Sequence, residues 1–416
     1  MPLHPVRNLL LLFTGCIAAG LPHAASGQQT PLITLLNQNR YSLTVHDNSL
    51  TGPAAPFLNH LLAKAQFVAI GEDHGTREVP QFVAATCRIM ASQGLDAMAI
   101  EAGPLAARKL QQWTADNQGP SSLAAFQQTY PNSIAIFNWR QEFDLLTQCQ
   151  QYNVPNHLIL WGLDQEYLGS PPFILQQILD THPNPQTNAL ATHLLAQCSA
   201  DRQKSLATHD WKDACIFQLA DNALASLAHT SSPLARQLAD ALLRTHHIYT
   251  THESGPHYDA NRERSLLMKT NFVADYQQLA KTTSHPPRVL LKFGGNHLYK
   301  GVNQTNLIDL GNFLTEFADG LGSQSLHILV VGLHGENEQS FGPGQPDHAV
   351  PKDIPDGFMA LLSAQALPGS WTVFDLHPLR SRFADLGPVD RELERLIFGY
   401  DVLILIPTIT PETPIH

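Results

Sequence analysis

The chain has 416 residues, 43% of them hydrophobic and 15% charged, which suits a folded protein with one or more sizeable cores. A net charge of −11 offers no basic footprint, so nucleic acid and anionic membrane surfaces are excluded as expected partners. The 21 histidines are many, and the informative ones are those that stand at strand ends.

The N-terminus reads as an export signal. Arg7 precedes an apolar run from Leu9 to Leu21 that is too short to span a bilayer, and small residues follow at Ala24, Ala25, Ser26 and Gly27. Cleavage near Ser26 or Gly27 is expected, giving residues 1–27 as signal peptide and a periplasmic or secreted product. The stretch ending at Cys16 is similar to a lipoprotein processing site. The apolar run continues past it, however, and Phe13 stands where an aliphatic residue is usual, so ordinary cleavage is favoured over lipid anchoring. No later segment has the length and apolarity of a transmembrane helix. Cys87, Cys149, Cys198 and Cys215 remain, an even number for an oxidising compartment. Of the three pairings Cys198–Cys215 is the simplest, and four buried thiols are the competing reading.

Seven short apolar runs are expected strands: residues 67–71, 97–101, 157–164, 288–295, 326–333, 371–376 and 401–407. Most are continuously apolar, as strands buried on both faces are. The expected fold is therefore α/β, a central mostly parallel sheet flanked by helices. After His74, the residues Val79, Phe82, Val83 and Met90 share one helical face, with Pro80 tolerated in the first turn. Residues 171–260 are helical in period and hold no strand candidate, a helical insertion (lid or subdomain) that divides the α/β domain into 28–170 and 261–416. Residues 261–280 form another expected helix with Leu267, Val273 and Tyr276 in its core, and residues 334–350 an expected Gly/Pro-rich polar loop.

In open α/β sheets ligands bind beyond the carboxyl ends of strands. Four expected strands end in polar groups: Glu72, Asp73 and His74; Glu101; Asp164; Asn296 and His297. Each alone has a bland explanation as a helix cap, a loop residue or a hydrogen-bonded histidine. Together they suit water activation. His74 would stand near the start of the following helix, whose positive end keeps the ring neutral and fit for general base. Glu72 or Glu101 would orient it, and His297 or an arginine would stabilise an oxyanion. The same residue types could hold a divalent metal through His74, His297 and a carboxylate, and spacing alone does not separate the two. No GxSxG elbow, Walker loop or GxGxxG occurs, and no CxxC pair suggests zinc.

The stretches "VAIGEDHGTREVPQF" and "GLDAMAIEAG" resemble the opening of the erythromycin esterase-like family. The likeness continues in order through "FNWRQEFDLLTQCQQYN", "LILWGLDQEY", "NRERSLLMKTNF" and "VLLKFGGNHLYKG", covering about residues 60 to 410. It implies a hydrolase of a small-molecule ester or lactone, with no cofactor expected. His74 would be the base, Glu72 and Glu101 the acidic partners and His297 the second histidine. Arg262 and Arg77 would stabilise charge, with Asp73, Asn296 and Asp164 lining the substrate side; a turn-capping role for Asp164 and a surface ion pair for Arg262 are the competing readings. His246, His247, His252 and His257 would be rim or surface residues. One departure is the spacing of Glu72 and His74, a residue shorter than usual and closer to haem-binding ChaN-like proteins and the Tiki-type superfamily, which includes metal-dependent peptidases. In that alternative Glu72, His74 and His297 would be metal ligands, and a divalent metal or haem would be bound.

Overall fold

A computed structural model describes residues 30–115, 119–154, 158–230, 232–340, 348–352 and 357–415. The expected export signal and Cys16 lie outside the described residues.

Ten strands form one sheet: β1 (Arg40–His46), β2 (Ser49–Thr51), β3 (Phe67–Glu72), β4 (Ala97–Ile100), β5 (Ile159–Gly162), β6 (Val289–Gly294), β7 (Ser325–Glu338), β8 (Ala349–Lys352), β9 (Trp371–Asp375) and β10 (Val402–Ile409). Their order is β2-β1-β9-β10-β7-β3-β6-β4-β5, with β8 paired to the far end of β7. From β10 to β5 every pairing is parallel, while β9, β1, β2 and β8 pair antiparallel. The sheet is the mostly parallel one expected, and all seven apolar runs are strands of it. Its central strands β3 and β4 are buried on both faces. Val68 and Ile70 of β3 pack into one core with the helix Glu78–Ala91, whereas Phe67 and Ala69 pack into the other with Met268 and Phe272 of the helix His257–Ala280. Alternate side chains of one strand thus feed two cores, which is why these runs read as unbroken apolar stretches.

Three strands have no apolar signature. β1 and β2 form an edge hairpin whose turn residues Asp47 and Asn48 have φ of 47° and 53°, the left-handed pair that a tight two-residue turn requires. β7 runs on to Glu338 and pairs there with β8, so part of the expected loop 334–350 is a polar two-stranded ribbon. Its residues escape notice because the ribbon leaves the core and needs no apolar face.

Between β5 and β6 the described chain holds helices and no strand. Ile174, Leu194, Leu238 and Leu242 gather these helices around a cluster of their own. In the helix His257–Ala280 the buried stripe is Leu267, Met268, Phe272, Tyr276 and Leu279. Val273, expected in the core, is half-buried beside it. No helix among the described residues is long and apolar enough to cross a membrane.

Both cysteine pairs are disulfides: Cys198–Cys215, as the simplest pairing anticipated, and Cys87–Cys149. The second ties the helix Glu78–Ala91 to the helix Arg140–Tyr152, closing a sequence separation of 62 residues. Replacing Cys87 and Cys149 together by alanine should cost about 2–4 kcal/mol through the freer unfolded chain. Denaturant unfolding measures it, and an unchanged midpoint would refute the link's role.

Candidate active site

The parallel pairing brings the carboxyl ends of β3, β4, β5 and β6 to one edge, and the polar groups that follow them meet there. Glu72 closes β3 and His74 follows two residues later, its Nδ1 2.8 Å from Glu72 Oε1. The ring's Nε2 lies 3.4 Å from Oε2 of Glu101, the residue after β4. On the other oxygen, Glu101 Oε1 accepts from Arg264 Nη2 at 2.7 Å and stands 3.5 Å from His297 Nε2. His297 sits in the short turn Gly295–Leu298 after β6, and its Nδ1 is 2.8 Å from Asp309 Oδ2. Arg264 reaches down from the helix His257–Ala280 and donates to both oxygens of Asp164, beyond β5, with Nε 2.8 Å from Oδ1. Gly294 completes the floor: its N–H donates to Glu101 Oε2 at 2.5 Å. A Cβ there would stand 3.0 Å from His74 Nε2 and 3.3 Å from Glu101 Oε2, so a side chain at this position would press on both groups.

No family model and no curated protein matches the sequence. Solved structures match by shape. A Bacillus cereus protein aligns at a TM-score of 0.59 and 16% identity, over 94% of this chain and 100% of that one. The erythromycin esterase EreC, a mutant in its open conformation, aligns at 0.61 and 15% identity over 91% and 99%. A succinoglycan biosynthesis protein aligns at 0.58 and 14% identity over 93% and 100%. The chain has the erythromycin esterase-like fold. A haem-binding ChaN of Campylobacter jejuni reaches a TM-score of only 0.24, which carries no argument.

The electrostatics of this site differ from the sequence expectation in one respect. The helix after His74 begins only at Glu78, four residues on, and both ring nitrogens face carboxylates. Burial opposes a charged ring, but Glu101 and Glu72 overcome it and raise the His74 pKa to about 10, so the resting ring is an imidazolium rather than neutral. Burial works against Glu101 as an anion, yet His297, His74 and Arg264 hold it well below the usual carboxylate range. Burial and the Arg264 cation disfavour a charged His297, and Asp309 and Glu101 outweigh them, raising its pKa.

Of the residues singled out in the sequence, Glu72, His74, Glu101, His297 and Asp164 converge. Asp164 caps its own turn, accepting from the Gln165 N–H at 2.8 Å, and also grips Arg264. Arg262 does not converge; it is exposed on the helix His257–Ala280, and the arginine in the cluster is Arg264, two positions on. A helix turns about 100° per residue, so two positions move a side chain across to another face. Arg77 is engaged elsewhere, its Nε 2.6 Å from Pro411 O and its Nη2 2.8 Å from Thr413 Oγ1. Asp73 pairs with Lys352, and the Asn296 backbone carbonyl accepts from Asn303 Nδ2 at 3.0 Å. His246, expected at the rim, is buried, with one ring nitrogen 2.6 Å from Ile216 O and the other 2.9 Å from Asp221 Oδ1. His257 is exposed and His252 half-buried, their rings 4.3 Å apart. Among the described residues, no group of three or more His, Cys, Asp or Glu side chains is arranged to hold a metal ion.

Sequence reasoning overlooked Lys292, Glu142 and Glu412. The first had a readable signal, a lysine inside the apolar run "VLLKF". Glu142 lies on a helix and Glu412 in the tail, and neither had one. Glu166 was also passed over; its buried carboxyl group accepts from the Leu105 and Ala106 N–H groups at a helix start, and burial pushes its pKa up to about 7.

Arg264 and Arg262 give a direct comparison. Arg264→Ala takes the cation from the buried Asp164 and one of the cations from Glu101, and should cost about 3–5 kcal/mol. Arg262→Ala, at an exposed position, should stay within about 0.5 kcal/mol of wild type. Equal losses in denaturant unfolding would contradict this placement.

Proposed function

We propose that the protein is an exported hydrolase that opens an ester or lactone of a small molecule with water activated at His74. The observation that carries the reading is the meeting of two histidine–carboxylate pairs, Glu72–His74 and Asp309–His297, on a single carboxylate, Glu101. In each pair Nδ1 is taken by its own carboxylate, which fixes the ring and leaves Nε2 as the working atom. Two fixed Nε2 atoms facing one point supply a base on one side and a hydrogen-bond donor on the other, the requirement for adding water to a carbonyl.

In this mechanism a carbonyl group entering between the rings parts His74 from Glu101. The loss of that anion lowers the ring's pKa, the ring releases its Nε2 proton to solvent, and the neutral Nε2 then takes a proton from the attacking water. His297, held protonated by Asp309, donates to the carbonyl oxygen as it becomes an oxyanion. The proton on His74 then passes to the leaving alcohol, and the acid and alcohol products depart. Arg264 keeps Glu101 anionic throughout. The shape shared with an erythromycin esterase supports an ester or lactone as the substrate class, and the reading of residues 1–27 as a signal supports export.

Hydrolysis of a panel of esters and macrolides by the purified protein tests this, with and without a chelator. Activity is expected on at least one substrate, unaffected by the chelator and lost in His74→Ala. Wild type and variant indistinguishable on every substrate would sink the reading, and activity restored only by added metal would replace it with a metal-dependent hydrolase.

The pH dependence has a defined sign. The free enzyme holds His74 protonated, so kcat/KM should climb with pH across the neutral range as the ring gives up its proton. Glu101→Gln removes the largest force raising that pKa and should move the rising limb to lower pH, while reducing the maximal rate. A limb that stays in place would mean another group controls it.

A further inference from the structure

Beneath His74 the polar tract continues inward into a region that the hydrolysis above does not use. Lys292 projects from β6 at 1% exposure and donates to Glu72 on one side and Glu142 on the other, whose side chains are fully buried. A third acid, Glu412, is also buried, at 3% exposure. Among the described residues no N–H or hydroxyl reaches Glu142 Oε2 or either oxygen of Glu412. Both acids are buried, and a carboxyl proton shared between them would give these oxygens a donor.

Glu412 is delivered by the last described residues of the chain, which form a strap. The Arg77 N–H donates to Thr410 O at 3.0 Å and the Glu412 N–H to Gly75 O at 3.1 Å, fastening the strap to the turn that carries His74. The Arg140 N–H donates to Thr413 O at 2.7 Å and the Ile415 N–H to Asn138 O at 3.0 Å, fastening it to the start of the helix that carries Glu142. Gly75, with φ of +87° and a Cβ position filled by the Glu338 backbone, lets the His74 turn bend into this contact.

The charges fix what the strap brings. Were all groups ionised, Glu72, Glu142 and Glu412 would face Lys292 and a His74 that is shared with Glu101, leaving negative charge buried and in excess. One proton held between Glu142 and Glu412 reduces that excess, and a buried carboxyl pair retains such a proton readily. We propose that the strap is part of the site: Glu412 and Glu142 share one proton, and through Lys292 and Glu72 this pair positions the His74 ring. If the proton were lost, a second anion would draw Lys292 away from Glu72, and Glu72 would loosen its hold on Nδ1. The charged groups facing the pair are Lys292 from β6, Glu72 from β3 and, beyond them, His74. Burial pushes the Glu142 pKa up to about 7 and that of Glu412 well above the carboxylate range, in agreement with this count.

Glu142 and Glu412 are thus positioning residues, and only the rate readout below rests on the hydrolase reading. Infrared difference spectra of wild type against Glu412→Gln and against Glu142→Gln, taken near neutral pH, should each show the loss of one protonated-carboxyl band. The ring 15N shifts of His74, which report protonation and tautomer, should move in both variants. On any substrate the wild type hydrolyses, kcat should fall roughly tenfold with KM little changed, a scale set by small misplacements of a reacting group. Band and ring shifts that stay as in wild type would overturn the proposal. So would a lost band with unmoved His74 signals, which would make the pair structural only. A wild type that hydrolyses nothing but shows both spectroscopic changes would defeat the hydrolase reading and leave this one standing. Where one variant fails to fold, the other, altering the same pair from the opposite side, decides.

Discussion

A carboxylate withdrawn from water must be met by donors and cations or it takes up a proton, and Glu101 shows how far that requirement shapes a site. Its two oxygens gather the Gly294 N–H, the Arg264 guanidinium and the facing nitrogens of His74 and His297. Those partners come from β6, the helix His257–Ala280, the turn after β3 and the turn after β6. Remove the Glu101 charge and Arg264 keeps only Asp164, while both imidazoles lose the group they face.

The parallel sheet makes this gathering geometrically cheap. With β3, β6, β4 and β5 adjacent and running the same way, their carboxyl ends fall on one edge without any strand having to bend. The order also explains why the residues are scattered in sequence. β6 lies between β3 and β4, so a segment near residue 294 separates two that follow one another near residues 72 and 101. Gly294 is the cost of that insertion: a strand carrying side chains on both faces would have pressed a methyl group into the histidine.

That logic marks what the sequence could reveal. Strands buried on both faces announce themselves, and the groups just past them can be read because a sheet aligns strand ends; Glu72, Glu101, Asp164 and His297 were legible for that reason. The sequence points to Arg262 and not to Arg264 because a loose helical motif fixes no rotational phase, and two residues separate a solvent face from a site face. The protonation of His74 was misjudged because it depends on where a helix starts and which acids fold back, neither being local information. Edge strands such as β1 and β8 carry too few apolar residues to stand out. Lys292 was the overlooked clue: an ammonium inside an apolar strand is unaffordable without buried acids, so its presence alone implied partners such as Glu142.

The same compensation runs deeper than the cleft. From Asp309 through His297, Glu101, His74, Glu72 and Lys292 to Glu142, acids and bases alternate, so each group's charge is set by its neighbours on either side. Such a chain has no independently titrating member; a change at one end alters the balance at the other. In the proposed reaction, entry of a neutral carbonyl beside Glu101 would therefore perturb more than the one contact it breaks. It would weaken the anion's hold on His74, and the ring would then depend more on Glu72, to which Lys292 donates. A histidine that rests protonated would be compatible with a base's role on those terms, because the proposed substrate would itself remove the interaction that kept the proton in place.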